Sequence, residues 1–285
     1  MVLTNNTKIL IVGLGLIGGS YARALTAQGF TVTAIDRDPQ AIAYAKREGI
    51  IADGSSAPDA ALIGEAELVV FALYPHVFLD WIREYQHLLR PGALLTDVTG
   101  VKVSVVYDVQ RMLRDDVEFI AAHPMAGREV NGVENSDPSI FKGANYIVVP
   151  TAANTPEAIR VCRELGETLG FSRISELTPE EHDRMIGFLS QLTHCIAVSL
   201  MTCSDNTHLV DYTGDSFRDL TRIARINDGM WSELFMLNKE PLLQEMDIFL
   251  EEFTALRDMV ATGDTEGLRE KMRLSTERRA WFDKK

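Results

Sequence analysis

Residues 8–25, KILIVGLGLIGGSYARAL, decide the fold of this chain. An apolar strand leads into the turn GLGLIG at 13–18, and an amphipathic helix follows the turn. This order and glycine spacing predict a dinucleotide-binding turn. Gly13 permits the tight turn, Gly15 lets the backbone approach a pyrophosphate, and Gly18 lets the helix pack against the strand.

Leu16 and Ile17 belong to the turn, and the helix after it offers free N–H groups and a positive dipole end to a diphosphate. A second strand, 31–35, leads into Asp36, whose carboxylate is placed to bind both hydroxyls of an adenosine ribose. Asp36 would repel a 2′-phosphate, which favours NAD over NADP, although the neighbouring Arg37 could bind that phosphate. The alternative is a glycine turn in an α/β domain that binds no nucleotide.

The amino-acid composition limits the partners and the cellular location that we expect for this protein. The 285 residues carry a net charge of −13, which argues against nucleic acid or an anionic membrane as partner. Three cysteines form neither a disulfide framework nor a metal pattern. The N-terminal MVLTNNTKIL lacks the features of a signal peptide, and no uninterrupted apolar stretch reaches membrane-spanning length. We therefore expect a cytoplasmic protein.

The first part of the chain alternates between strand and helix patterns, which predicts an α/β fold with a mainly parallel, doubly wound sheet. Helical patterns cover 39–48 and 77–89. The predicted strands are 8–12, 31–35, 68–73, 93–98, 117–122 and 145–149. Ligands of such sheets bind beyond the carboxyl ends of the strands, so Tyr74, Pro75 and the segment 97–102 are candidate site residues.

The pattern changes near residue 178. Thr178, Pro179 and Glu181 form a helix start, and only helical patterns follow. We expect a dinucleotide-binding domain at 1–177 and an all-α domain at 178–285. One helix carries an apolar stripe, which is typical of a seam inside a domain or of a dimer interface: Leu242, Met246, Phe249, Phe253, Leu256 and Val260.

His123 lies in the run VEFIAAHPMAGRE, where we expect Pro124 to end a strand at the carboxyl edge of the sheet. A neutral imidazole there can take the proton of an alcohol that is being oxidised by hydride transfer. The alternative is a histidine that only satisfies backbone groups at the end of a strand.

Two later clusters are candidates for the substrate side of a cleft. Ser190 and His194 lie one helical turn apart in an otherwise apolar helix, where the alternative is a helix–helix contact. Arg222, held by an acid such as Asp219, could clamp a carboxylate, with Trp231 walling the site; the alternative is a solvated face of ion pairs. His182 and His194 have no third ligand at a recognised spacing, so we expect no metal.

Together these runs resemble the prephenate/arogenate dehydrogenase family of tyrosine biosynthesis over nearly the whole chain. The matching motifs are GLGLIGGS, DVTGVK at 97–102, HPMAG at 123–127, HDRMIGFLSQLTH at 182–194 and TRIARINDGMW at 221–231. The resemblance implies a Rossmann domain, a helical domain that forms a homodimer, and an active site between the two. It also implies oxidative decarboxylation with NAD+, giving 4-hydroxyphenylpyruvate, CO2 and NADH.

The resemblance assigns roles to single residues. His123 matches the catalytic histidine and Arg222 the arginine that binds a substrate carboxylate. Ser190 and His194 match positions in the substrate site. The residues that match the active-site entrance are Glu129, Asp219 and Trp231.

The chain departs from the family pattern at two positions. Gly100 stands where some relatives carry a serine, and Thr99 is the neighbour that could replace that hydroxyl. Arg128 follows HPMAG and, as a cation near His123, favours an α-keto acid side chain over an ammonium. Prephenate is thus the expected substrate. The alternatives are arogenate, a β-hydroxyacid dehydrogenase, whose usual lysine the helix 182–194 lacks, and a catalytically silent NAD(H) sensor.

Overall fold

The computed structural model describes residues 2–283. Twelve α-helices lie in this range: α1 (Leu16–Ala27), α2 (Pro39–Arg47), α3 (Ala60–Glu65), α4 (Pro75–Tyr85), α5 (Val103–Met112), α6 (Pro156–Leu169), α7 (Pro179–Ile186), α8 (Thr193–Thr202), α9 (Asp215–Thr221), α10 (Asp228–Leu237), α11 (Lys239–Thr262) and α12 (Thr265–Arg279). The strands are β1 (Ile9–Val12), β2 (Val32–Ile35), β3 (Asp53–Ser55), β4 (Leu68–Phe71), β5 (Leu94–Asp97), β6 (Glu118–Phe119), β7 (Ala121–Met125), β8 (Asn145–Val149) and β9 (Arg173–Glu176).

Six strands form a parallel sheet in the order β3-β2-β1-β4-β5-β6, which is the doubly wound order of dinucleotide-binding folds. Alternate residues of β1 enter two apolar clusters. Ile9 and Ile11 belong to one, whereas Leu10 and Val12 belong to the other. Because both faces of the strand are buried, its sequence is continuously apolar. The prediction of a doubly wound α/β fold followed by helices is confirmed.

A second sheet corrects the prediction for the third quarter of the chain. The expected strand 117–122 is two strands, of which β6 pairs with β5 while β7 pairs antiparallel with β8. Pro124 does not end a strand, because it lies within β7 opposite Tyr146. The strand order β7-β8-β9 makes β7 an edge strand, where a missing N–H is tolerated.

The helical part begins as predicted. The Thr178 side chain accepts from Glu181 N–H, and the Glu181 carboxylate accepts from Thr178 N–H, which completes a capping box in front of α7. A π-helical segment, Gly187–Leu192, joins α7 to α8. The helical run Pro179–Thr202 is long and apolar enough to cross a membrane by length and composition alone. However, its Gln191 donates to Leu234 O in α10, as expected for a helix inside a folded domain.

The chain divides after Asn238 into two compact units. The first contains both sheets and the helices up to α10, so the predicted boundary at 177/178 lies inside it, where the sheets end and the helices begin. The second contains α11 and α12, joined by an ion pair between Lys271 and Glu252. The predicted stripe lies on α11, where Phe253 and Val260 are 60% and 64% exposed.

Candidate active site

The glycine turn has the shape that a pyrophosphate needs. A Cβ at Gly13, whose φ is +98°, would lie 2.4 Å from Ala72 O, and one at Gly18 would lie 1.9 Å from Gly13 O. A Cβ at Gly15 would meet nothing within 4 Å, so the space above this residue is open. Helix α1 begins directly after it, at Leu16 and Ile17. The turn therefore presents open backbone and free N–H groups to an anion.

We expect alanine substitutions at Gly18 and at Gly15 to differ in their effects on stability and on NAD+ affinity. Gly18→Ala forces a methyl group onto a backbone oxygen, and we expect it to lower the free energy of unfolding in urea by about 2 kcal/mol or more. Gly15→Ala keeps a negative φ of −73°. We expect stability within about 0.5 kcal/mol of wild type but an NAD+ Kd raised at least ~10-fold. Equal stability losses in both variants would contradict this separation.

Asp36 lies beside the glycine turn at the end of β2. Its carboxylate accepts from Leu14 N–H at 2.5 Å and from Asp38 N–H at 2.8 Å. The structure thus brings together the turn and the acid that were predicted to bind the pyrophosphate and the ribose. Arg37 is exposed.

The segment after β4 also reaches the helical part. Tyr74 precedes α4 and Pro75 is its first residue, as predicted. Asn227 Nδ2 donates to Tyr74 Oη at 3.1 Å, and His76 N–H donates to Glu233 Oε1 at 2.8 Å. The loop at the carboxyl end of β4 is therefore fastened to α10, and the side chains at 74–76 line the boundary between the sheet and the helices.

A buried ion pair holds the loop after β5. Lys102 Nζ lies 2.7 Å from Asp97 Oδ2, and both side chains are fully buried. Burial lowers the pKa of Lys102, and the Asp97 carboxylate opposes that shift. The other carboxylate oxygen of Asp97 accepts from Ala122 N–H at 3.1 Å, which ties the loop to β7. Breaking such a pair would leave an uncompensated charge in the core.

Thr99 and Gly100, the two predicted site residues of this loop, have different surroundings. Thr99 is 4% exposed, and its hydroxyl is bonded to the Asp97 carboxylate and to Val101 O. It therefore serves the loop and has no hydroxyl hydrogen left for a substrate. Gly100 instead faces the predicted base, because a Cβ there would lie 3.9 Å from His123 Nε2.

His123 points one ring nitrogen toward Gly100 and the other into the protein. Its Nδ1 lies 2.9 Å from His182 Nε2, and His182 Nδ1 lies 2.7 Å from Asp183 Oδ1. Burial lowers the pKa of His123 well below its usual range, and His182 and Lys102 act in the same direction. The imidazole is therefore neutral near pH 7 and can accept a proton.

Ser190 and His194 lie together on the helical side. Ser190 belongs to the π-helical segment, a feature often found at functional sites, and its carbonyl accepts from His194 Nδ1 at 2.8 Å. The ring of His194 stacks on Trp231, with centroids 3.7 Å apart. Burial lowers the pKa of His194, so its Nε2 is an acceptor near pH 7.

Arg222 pairs with Glu129, which follows β7, and this contact joins the loop after His123 to the helical part. The expected pairing with Asp219 is not observed among the residues 2–283, because Asp219 lies on α9 whereas the guanidinium reaches across to the β7 loop. Both Glu129 and Arg222 act electrostatically on His194. Arg222, Glu129, His194 and Trp231 therefore form one cluster. Arg128 pairs instead with Asp137 at 2.9 Å.

Sequence reasoning missed the partners of His123. From the sequence, His182 is considered only as a metal ligand, Asp183 only as part of the motif at 182–194, and Lys102 only as part of the motif at 97–102. The signal in the sequence that could have identified His182 and Asp183 is an adjacent histidine and aspartate in the first turn of an otherwise apolar helix. Within the described chain, no group of three or more His, Cys, Asp or Glu side chains is placed to hold a metal ion.

Two family models cover most of the chain. The prephenate dehydrogenase nucleotide-binding domain matches residues 21–174, and the prephenate dehydrogenase dimerization domain matches residues 178–274. The prephenate dehydrogenase of Bacillus subtilis is 32% identical over 271 residues, which cover 91% of this chain and 72% of that protein. The cyclohexadienyl dehydrogenase of Zymomonas mobilis is 28% identical, over 95% of this chain and 94% of the other.

A solved structure agrees with these matches. The prephenate dehydrogenase from Aquifex aeolicus, in complex with hydroxyphenyl propionate and NAD+, superimposes with a TM-score of 0.89 and 28% identity. The similarity covers 99% of this chain and all of that one. The glycine turn and Asp36 of the present chain have the form that NAD requires. The chain belongs to the prephenate dehydrogenase family of NAD-dependent oxidoreductases.

Proposed function

We propose that the protein oxidises and decarboxylates prephenate to 4-hydroxyphenylpyruvate, with His123 as the base. The observation that carries this proposal is the placement of His123. Its neutral imidazole turns Nε2 toward Gly100, beside which the Leu234 side chain also lies, while its other nitrogen is engaged by His182. A ring hydroxyl within reach of Nε2 would donate to it.

The chemistry needs an acceptor for the hydride on one ring carbon and an acceptor for the proton of the hydroxyl group on that carbon. NAD+ held by the glycine turn and Asp36 would supply the hydride acceptor. His123 Nε2 takes the hydroxyl proton as the hydride leaves, so the C–O bond gains double-bond character. The ring carboxylate then leaves as CO2, its bonding electrons enter the ring, and the oxygen regains a proton to give the phenol. Aromatisation drives the sequence forward.

The substrate carboxylates need positive partners, because the chain is acidic overall. We assign one carboxylate to Arg222, whose guanidinium can bind it in bidentate fashion. Ser190 and His194 supply hydrogen-bonding groups beside it, and Trp231 forms the wall under His194. Since Glu129 already pairs with Arg222, the bound carboxylate must compete with this acid.

Arg128 supports prephenate over arogenate as the substrate. The two differ in the side chain, which bears a keto group in prephenate and an ammonium in arogenate. Arg128 follows HPMAG, five residues after His123, and its cation disfavours a second positive charge nearby. Its partner Asp137 offsets part of that charge.

A pair of variants tests this assignment. Arg128→Ala is expected to lower the ratio of kcat/KM for prephenate to that for arogenate by about 3- to 10-fold, as a partly exposed charge contributes only modestly. Asp137→Asn leaves Arg128 unpaired and is expected to raise the same ratio. Steady-state NADH formation with both substrates measures it. An unchanged ratio in Arg128→Ala would remove Arg128 from the specificity site.

The proposal extends to assembly and location. The two exposed members of the stripe on α11, Phe253 and Val260, support a homodimer through the helical domain. The match to a dimerization domain supports the same assembly. A biosynthetic dehydrogenase that draws on free NAD+ would work in the cytoplasm. We keep the functional boundary at 177/178, between a cofactor domain and a substrate domain.

A further inference from the structure

Two buried side chains stand behind His123. His182, in the first turn of α7, is fully buried, and Asp183 follows it in the chain. His123 Nδ1, His182 Nε2, His182 Nδ1 and Asp183 Oδ1 form a continuous hydrogen-bonded chain with heavy-atom distances of 2.9 and 2.7 Å. This chain is attached to the ring nitrogen of His123 that does not face Gly100.

The contacts of Asp183 indicate which ring nitrogens of His182 and His123 carry a hydrogen. Its Oδ1 accepts from Lys102 N–H at 2.7 Å, and its Oδ2 accepts from Val103 N–H at 2.8 Å. Backbone N–H groups only donate, so each oxygen of Asp183 accepts a hydrogen bond, which favours the carboxylate form. Beside a carboxylate, His182 Nδ1 carries a hydrogen and donates it to Asp183, which leaves His182 Nε2 as an acceptor.

The next link follows from the same rule. An acceptor at His182 Nε2 requires the hydrogen on His123 Nδ1, so His123 Nε2 is bare. Burial lowers the pKa of both His123 and His182 well below the usual range, with Lys102 acting in the same direction, so each ring keeps a single hydrogen. Burial raises the pKa of Asp183, but its two backbone N–H donors and the Lys102 ammonium oppose that shift.

His182 is not needed to fasten α7 to the sheet. Asp183 does this by its bonds to the backbone of Lys102 and Val103, and Asn238 Nδ2 donates to Asp183 O at 2.9 Å. The hydrogen bonds described for the His182 side chain lead to His123 and Asp183. Its place in the structure is therefore explained by His123 rather than by packing alone.

We infer that His182 and Asp183 are positioning residues that hold His123 with its hydrogen on Nδ1 and its lone pair on Nε2. They also stabilise the charge on His123 after Nε2 has taken the proton, because the Nδ1 hydrogen then points along a chain that ends in a carboxylate. This inference rests on the proposed role of His123 as the base.

Two variants of His182 separate positioning from packing. His182→Gln keeps a side-chain carbonyl that can accept from His123 Nδ1, and we expect kcat with prephenate within about 5-fold of wild type. His182→Leu has a similar volume but no acceptor, and we expect kcat to fall by about 100-fold while the NAD+ Kd stays unchanged. Equal kcat values in the two variants would overturn the inference.

The pH dependence of kcat/KM is a second measurement, which a change in packing alone at residue 182 would leave unaltered. The titratable groups that act on His123 are His182 on α7 and Lys102 in the loop after β5. Asp183 pairs with the first of these and Asp97 with the second. Without the acceptor at 182, protonated His123 loses its link to the carboxylate. Both variants lose the imidazole that lowers the pKa of His123, but only His182→Gln keeps an acceptor for its Nδ1 hydrogen. The acid limb of kcat/KM should therefore lie at a lower pH in His182→Leu than in His182→Gln. Acid limbs at the same pH in the two variants would contradict the relay.

A measurement on the wild-type protein needs neither variant nor substrate. In protein with 15N-labelled histidine, NMR reports which ring nitrogen bears the hydrogen, and loss of a signal in His123→Asn assigns His123. We expect the Nδ1–H form of His123. The Nε2–H form would overturn the inference whatever the protein turns over. Should neither prephenate nor arogenate react while His123 shows the Nδ1–H form, the proposed function would fail and the hydrogen-bonded chain would stand.

Discussion

Replacing His123 by asparagine is expected to lower kcat for prephenate by about 1,000-fold or more, because loss of a positioned base removes most of the proton-transfer catalysis. Asparagine keeps a polar side chain in β7 but cannot take a proton. The affinity for NADH should not change, since His123 has no part in the glycine turn. Initial rates of NADH formation and titration of NADH fluorescence measure the two quantities.

The pH dependence of the wild-type enzyme follows from the same residue. Burial holds the pKa of His123 well below its usual range, so the base stays deprotonated as the pH falls through 6.5. The acid limb of kcat/KM should therefore lie below pH 6.5, the ordinary value for histidine. Turnover that survives in His123→Asn would refute the assignment of the base. Tight NADH binding without turnover in the wild type would instead indicate a sensor.

Arg222→Gln is expected to raise the KM for prephenate by about 100-fold, because the variant loses a charged, bidentate partner of the carboxylate. The loss should fall mainly on KM, since the proposed role of Arg222 is to bind a carboxylate and not to transfer the hydride or the proton. Glutamine keeps a polar chain of moderate length, so the change tests charge rather than bulk.

Glu129→Gln is the matched control for Arg222. It removes the acid that competes with the substrate for the guanidinium, and the KM for prephenate should fall or stay the same. A rise in KM with this variant would mean that the ion pair positions Arg222 rather than competing for it. A KM within about 2-fold of wild type in Arg222→Gln would exclude Arg222 as the carboxylate site.

The sequence predicts the strands that are buried on both faces. β1 and β4 are continuous apolar runs, and β5 begins with two leucines. All three lie within two residues of their predicted bounds. β3 and β9 were missed because they carry polar residues and are defined by pairing with β2 and β8 rather than by a pattern of their own. Hydrophobic periodicity does not predict such strands.

The cofactor residues and the residues around His123 also differ in how well the sequence predicts them. The cofactor residues are contiguous in the chain, so the spacing of Gly13, Gly15 and Gly18 is sufficient to predict them. The partners of His123 depend on a contact between residues 59 apart, and neither β7 nor α7 alone shows it. Arg222 was identified, but its pairing with Glu129 over 93 residues could be expected only from the family resemblance.

The most direct test of the account is NADH formation by the purified protein with NAD+ and prephenate, with CO2 release followed in parallel. Arogenate and NADP+ serve as the alternative substrate and cofactor. The account predicts NADH and CO2 in equal amounts from prephenate with NAD+, at a higher kcat/KM than with arogenate or with NADP+. No NADH from either substrate, in protein that binds NADH, would contradict it.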